Sequence, residues 1–151
     1  MQIIKPLEGE KLSKMNIEIR EYTDFDLDEI TGLYQAVGWT NYTARAGMLR
    51  EAYEHSLCVL GAYFGDRLIG LLRAVGDGVS VVLVQDLLVL PEFQRQGVGT
   101  KLLRTVMDRY QTVYQLELLT DDTEKTASFY RSVGFVPAGE IGCLSFIRMQ
   151  Q

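Results

Sequence analysis

The chain has 151 residues, the size of one domain, and its 47% hydrophobic and 23% charged residues are those of an ordinary globular protein with a single core. Fifteen Lys and Arg against twenty Asp and Glu leave a net charge of −5, which argues against gripping nucleic acid through a basic surface. No apolar run reaches the ~18–20 residues of a membrane span, and no signal-peptide pattern opens the chain. A cytoplasmic protein without nucleic-acid or membrane partners is expected, with a homodimer left open.

Residues 1–14 lack periodicity and read as an N-terminal extension; residues 15–151 read as one domain. Residues 16–21 alternate, with Ile17 and Ile19 apolar, as a half-buried strand does. Asp24 is the expected N-cap of a first helix, with Asp26, Asp28 and Glu29 in its first turns. Leu27, Ile30, Leu33, Tyr34 and Val37 then recur at helical spacing until Gly38 stops the helix. A polar, aromatic loop (Trp39, Thr40, Asn41, Tyr42) leads into a second helix that ends near Glu54. From there the period is two. Residues 57–64 and 68–75 form a hairpin about Gly65-Asp66, and residues 76–78 turn into an apolar strand, 79–90, that Pro91 ends.

A third helix shows Gly99, Leu102, Leu103, Val106 and Tyr110 on one face, and residues 113–119 make a strand. Asp121 or Asp122 caps a short fourth helix carrying Ala127, Phe129, Tyr130 and Val133, and residues 135–137 and 141–148 read as final strands. The order β-α-α-β-β-β-α-β-α-β(-β) predicts an α+β domain, a mixed sheet of about six or seven strands flanked by about four helices. Cys58 and Cys143 lie far apart in apolar stretches and read as two small buried hydrophobes, without the spacing of a disulfide framework or a zinc site. His55, the one histidine, reads as a solvated helix-end residue, and no metal is expected.

The most informative segment is residues 87–100, LLVLPEFQRQGVGT, where a strand runs into a tight loop whose glycines open a helix. Gly97 and Gly99 allow successive backbone N–H groups to converge on an anion, and the helix N-terminus adds about half a positive charge there. A pyrophosphate suits such a place, and Arg95 adds a side-chain contact. The loop lacks the Lys-Ser/Thr pair of a P-loop and the first glycine of a dinucleotide fingerprint.

Val89-x-Pro91-x-x-Gln94-x-x-Gly97-x-Gly99-x-x-Leu102-Leu103, followed by Phe129-Tyr130-x-x-x-Gly134-Phe135, resembles the Gcn5-related N-acetyltransferase (GNAT) superfamily. The resemblance implies acetyl-CoA as co-substrate, with no metal. It implies that the strand before the loop splays from its neighbour and pairs through Leu87, Leu88 and Val89 with the pantetheine arm, the Leu87 region polarising the thioester carbonyl. The amides of Gln94, Arg95, Gln96, Gly97, Val98, Gly99 and Thr100 would hold the pyrophosphate. Tyr130 matches the family tyrosine beside the coenzyme sulfur. Thr123 stands where the family often has Asn, seven residues earlier. Some members carry Glu or His as a general base on the strand before the loop; here Leu83 and Gln85 fill those sites. Asp86 is the nearest carboxylate, turned away from the Gln85 face by strand alternation unless a bulge intervenes.

The chemistry needs a base or water chain to deprotonate the amine, an N–H donor for the developing oxyanion, and help for a departing thiolate. Tyr130, Asp86 and Gln85 are the catalytic candidates. Trp39 and Tyr42 are candidate acceptor contacts. Residues 15–56 carry eight acids (Glu18, Glu21, Asp24, Asp26, Asp28, Glu29, Glu51, Glu54) against three bases (Arg20, Arg45, Arg50), an excess that favours a cationic acceptor. The expected function is direct transfer of an acetyl group to a primary amine, that of a small molecule. A non-catalytic acyl-CoA sensor on the same fold and a protein N-terminal or lysine acetyltransferase are the alternatives.

Overall fold

The computed structural model describes residues 16–150, so the expected extension over residues 1–14 lies outside the described chain. Backbone packing divides the described residues into two compact units, 16–119 and 120–150.

The first unit is built on a five-stranded sheet in the order β1-β2-β3-β4-β5, with β1 Ile17–Glu21, β2 Cys58–Phe64, β3 Arg67–Gly76, β4 Val81–Val89 and β5 Gln115–Leu118. Strands β1 to β4 pair antiparallel; β5 joins parallel to β4, through the kind of helical crossover that a parallel pair requires. Three helices fill the connection between β1 and β2: α1 Leu27–Ala36, α2 Thr40–Thr43 and α3 Ala46–Glu54. The crossover is α4, Val98–Arg109.

The β3–β4 turn is closed by Asp77. Its carboxylate accepts hydrogen bonds from the Ser80 hydroxyl (2.5 Å) and the N–H groups of Val79, Ser80 and Val81 (2.8, 2.8 and 3.0 Å). Those bonds, the hydroxyl's foremost, hold the carboxyl well below the usual carboxylate range. Gly76 makes the turn possible: at φ +135° a Cβ would stand 2.3 Å from the Val81 carbonyl oxygen.

Val98 of α4 faces Gly70, its Cγ1 3.4 Å from where a Cβ would sit. Arg73, three residues on and so on the other face, lies over Tyr53 of α3 and reaches Tyr34 of α1 through Asp86. The sheet is therefore covered on both sides. Ile30, Leu33 and Leu49 on one side and Leu102, Leu103 and Val106 on the other are buried, each burial contributing about 1.5–3 kcal/mol.

Helix α1 is capped by Asp26 rather than the expected Asp24. The Asp26 carboxylate accepts from the Glu29 N–H (3.0 Å), and the Tyr22 hydroxyl accepts from the Asp26 N–H (2.9 Å). The stretch from Trp39 to Tyr42, expected as a loop, contains the single turn α2, which raises the helix count from about four to five among the described residues.

The second unit holds α5, Glu124–Ser132, and a 3₁₀ turn, Ala138–Ile141. The cap of α5 is Thr123, not Asp121 or Asp122: its Oγ1 accepts from the Thr126 N–H at 3.2 Å. The final strands expected over residues 135–137 and 141–148 are absent, so the sheet has five strands and not six or seven. Glu140, in the 3₁₀ turn, is ion-paired to Arg131, and the left-handed Gly142 (φ +79°) turns the chain where the last strand should begin. The apolar pattern beyond it exists without a backbone partner: Leu144 is 80% and Phe146 89% exposed. Cys58 is buried as expected, whereas Cys143 is exposed.

Candidate functional site

In the first unit, β4 pairs with β5 only from Val81 to Val84. Arg73 lies opposite Asp86 and Ala74 opposite Val84, which makes Gln85 the extra residue of a β-bulge. Beyond it β4 is bonded to β3 alone, and the sheet opens. The Leu90 N–H donates to the Ile69 carbonyl at 2.8 Å. Alternation then turns the N–H and C=O of Leu88 toward β3 and those of Leu87 and Val89 toward the open edge. The Val89 carbonyl accepts a bond from Gln94 Nε2 (2.9 Å), which ties the following loop to that edge. The expected parting of the strand before the loop is present, with Leu87, Leu88 and Val89 along it.

The loop from Gln94 runs through Arg95 at φ +62° and Gly97 at φ +80° into α4. Arg95 is the one non-glycine with positive φ among the described residues, a conformation that costs about 1–2 kcal/mol. The first helical bond runs from the Lys101 N–H to the Gly97 carbonyl (3.0 Å). The N–H groups of Val98, Gly99 and Thr100 thus precede any intrahelical acceptor, and Gly97 offers no capping side chain. Left-handed residues two apart make a concave array of N–H groups at the positive end of the helix dipole. Gln94, Arg95 and Gln96 are exposed beside it, and nearby Glu92 is ion-paired to Arg67. These donors fit a diphosphate.

At the bulge, Gln85 is exposed and its Nε2 donates to the Tyr42 hydroxyl at 3.3 Å. Tyr42 and Trp39 are half-buried, with ring centroids 6.5 Å apart, and both rings pack on Tyr34, at 5.1 and 5.8 Å. The structure thus brings together Trp39, Tyr42 and Gln85 at the start of the open edge. Asp86, the next residue, points inward and is 1% exposed. Its Oδ2 accepts from Arg73 Nε (2.6 Å) and from the Tyr34 hydroxyl (2.8 Å). Tyr53 shares a hydrogen bond with Tyr34 (3.1 Å), and the Arg73 guanidinium donates to Ser56 Oγ (3.3 Å). Burial weighs against the Arg73 charge, but the charge and hydrogen bond of Asp86, helped by the two tyrosines, raise its pKa overall. Burial, with Tyr53 and Asp86 adding to it, pushes the Tyr34 phenol far above its ordinary value.

Sequence reasoning missed Arg73, and did not give Tyr34 or Tyr53 a polar role. A signal was available. Apart from Arg67 at the start of β3, Arg73 and Asp86 are the charges of two apolar strands, and a turn centred near residues 79–80 sets them face to face.

In the second unit, Tyr130 of α5 packs edge-on against Phe129 and Phe135, at centroid distances of 5.0 and 6.0 Å. Burial raises its phenol above the ordinary value, the Thr120 hydroxyl opposing and Asp121 adding to the shift. Thr123 is occupied with the helix cap, its hydroxyl also 2.6 Å from that of Thr126. His55 is exposed at the end of α3, its Nδ1 2.9 Å from the Glu51 carbonyl.

The acetyltransferase (GNAT) domain family matches residues 44–137. A GNAT-family acetyltransferase from Streptococcus pneumoniae TIGR4 superposes with a TM-score of 0.81 at 43% identity, over 90% of this chain and 99% of that one. The chloroplastic GCN5-related N-acetyltransferase 1 of Arabidopsis thaliana is 28% identical over 151 residues, 96% of this chain and 75% of its own. The PaiA N-acetyltransferase of Thermoplasma acidophilum, solved with coenzyme A, shares the fold at 18% identity (TM-score 0.68, over 81% of this chain and 91% of that one). No helix among the described residues is long and apolar enough to cross a membrane.

Proposed function

Because the chain belongs to the GNAT family of acetyltransferases, we propose that it transfers the acetyl group of acetyl-CoA directly to a primary amine of a small molecule. The observation that carries the acceptor class is the cluster of Trp39, Tyr42 and Gln85 at the mouth of the open β4 edge. Aromatic faces attract an ammonium ion by cation–π contact, and the acids of the N-terminal segment draw it in. The coenzyme A complex of a protein with the same fold supports the donor. The cytoplasm remains the proposed location.

When bound, acetyl-CoA supplies an activated thioester. The backbone of Leu87, Leu88 and Val89 would pair with its pantetheine arm, the Leu87 N–H polarising the carbonyl under attack. Gln94, Arg95, Gln96, Gly97, Val98, Gly99 and Thr100 would hold the diphosphate through backbone N–H groups and the Arg95 guanidinium. Thr123 caps the helix that carries Tyr130, and by its match to the family tyrosine the Tyr130 hydroxyl, kept protonated by burial, would donate to the departing thiolate. Asp86 is committed to Arg73 and Tyr34, so the amine's proton is better taken by a water held on the exposed amide of Gln85.

A panel of primary amines assayed with acetyl-CoA by free-thiol release tests this reading. Turnover with small cationic amines is expected. A preference for anionic acceptors, turnover only with peptides, or coenzyme binding with no acceptor at all would each overturn it.

A further inference from the structure

The buried group around Asp86 is larger than an ion pair needs to be. Two donors on different elements, Arg73 Nε on β3 and the Tyr34 hydroxyl on α1, converge on one oxygen of a carboxylate on β4. Since the proton of Tyr34 goes to Asp86, Tyr53 on α3 is the donor in the bond between the two hydroxyls. The strands are thereby fastened to both long helices of the β1–β2 connection through a single point. No buried side-chain nitrogen or oxygen among the described residues lacks a partner, so the network is fully satisfied and of the rigid kind.

Tyr34 belongs to two assemblies at once. Its hydroxyl ends in the network, while its ring is the surface on which Trp39 and Tyr42 rest. The Tyr34 carbonyl also accepts from the Trp39 N–H (2.9 Å). Tyr42 is held a second time, by Gln85, the residue next to Asp86. The path from β4 through Asp86, Tyr34 and Tyr42 back to β4 at Gln85 is a closed ring of contacts.

We propose that Tyr34, pinned by Asp86, is the positioning residue that sets the aromatic wall of the acceptor site. Asp86 acts on catalysis through that wall and not as the base. The proposal rests on the acceptor site proposed above, and it concerns how that site is shaped.

Trp39 is the only tryptophan in the chain, so its emission reports on the wall without any substrate. Tyr34→Phe keeps the ring and deletes the hydroxyl; Asp86→Asn keeps the shape and deletes the charge. Both are expected to change Trp39 emission and increase its quenching by acrylamide. Both are expected to raise the KM of the best amine in the panel by about three- to tenfold, the range one buried hydrogen bond covers. Acetyl-CoA affinity and the shape of the pH–rate profile should stay as in the wild type. In quenching and amine KM the double variant should match Asp86→Asn, because the Tyr34 hydroxyl acts on the wall only through Asp86, while Asp86→Asn loses the Arg73 charge pair as well.

Unaltered Trp39 quenching in Tyr34→Phe, which leaves the buried charge pair whole, would overturn the proposal. So would an unaltered amine KM in the presence of altered quenching, the result of a purely structural network. Loss of the acidic limb of the pH profile in Asp86→Asn, with a fall in kcat of about 10²–10⁴, would restore Asp86 as the base. A wild-type protein that acetylates no amine overturns the acceptor reading itself and the wall's role with it; the quenching data would then still report whether Asp86 pins Tyr34.

Discussion

Arg73 Nε lies 2.6 Å from Asp86 Oδ2, and the two residues stand directly opposite in the β3–β4 register at 5% and 1% exposure. Removing one partner leaves the other charge buried and alone. Arg73→Ala or Asp86→Ala should therefore cost about 3–5 kcal/mol, read from urea midpoints. Replacing both with Leu should cost distinctly less, and a double variant as unstable as the single ones would contradict this account.

Gly97→Val should abolish acetyl-CoA binding in calorimetry while the fold survives. No atom crowds the missing Cβ, but φ +80° suits glycine and strains any β-branched residue. The strain at that turn would distort the N–H array, and circular dichroism should stay native-like. A Gly97→Val variant that binds normally would remove the loop from the donor site.

Tyr130→Phe should lower kcat by about 10²–10⁴ with chemistry rate-limiting, and leave acetyl-CoA affinity within a small factor. Because burial raises this phenol, the wild-type rate should hold through the pH where an ordinary tyrosine ionises. Unchanged turnover in the variant would reduce Tyr130 to a packing residue of its aromatic trio.

Trp39→Ala with Tyr42→Ala should raise the amine KM and spare acetyl-CoA affinity, since neither ring belongs to the Gln94–Thr100 loop. Steady-state kinetics with each substrate varied in turn separates the two effects.

Stability should fall on the alkaline side. Burial raises Tyr34 and Tyr53, and pushes Tyr22 up to about 12, whereas unfolded phenols ionise near ~10. A pKa higher in the folded state gives stability that is complete below the unfolded value and is lost as pH rises toward the folded one. Urea midpoints should be level to about pH 9 and fall by about pH 11, with a shallower fall in Tyr34→Phe. An equal slope in that variant would show that Tyr34 ionises as easily folded as unfolded.

The sheet was legible wherever period and turn chemistry agreed. Gly65-Asp66 and Gly76-Asp77 close the two hairpins that period-two runs on either side demand, and the glycines at 97 and 99 mark the start of α4. Helix starts were less legible. Asp24, Asp26 and Asp28 are all competent caps, and the structure takes Asp26, whose carboxylate accepts the Glu29 N–H while its own N–H is held by the Tyr22 hydroxyl. The alternation of residues 141–148 says which side chains could face a core, but a strand also needs a neighbouring backbone, which periodicity cannot supply. At the site, the motif residues could be named from sequence, and Trp39, Tyr42 and Gln85 do converge. Asp86 faces inward as alternation alone would have it, although the bulge at Gln85, which sequence could not show, interrupts the register just before it. Its partner Arg73 needed the register, and Tyr34 needed the packing of α1 on the sheet.

The side of β4 that faces away from β3 beyond Val84 also bears on association between copies of the chain. A free strand edge is a template for another strand, and on this one Gln94 covers the Val89 carbonyl. Any molecule that hydrogen-bonds along Leu87 and Val89 therefore does a second service: it removes the template. An excess of such a molecule should therefore also slow strand-to-strand association between copies of the chain, which light scattering would read.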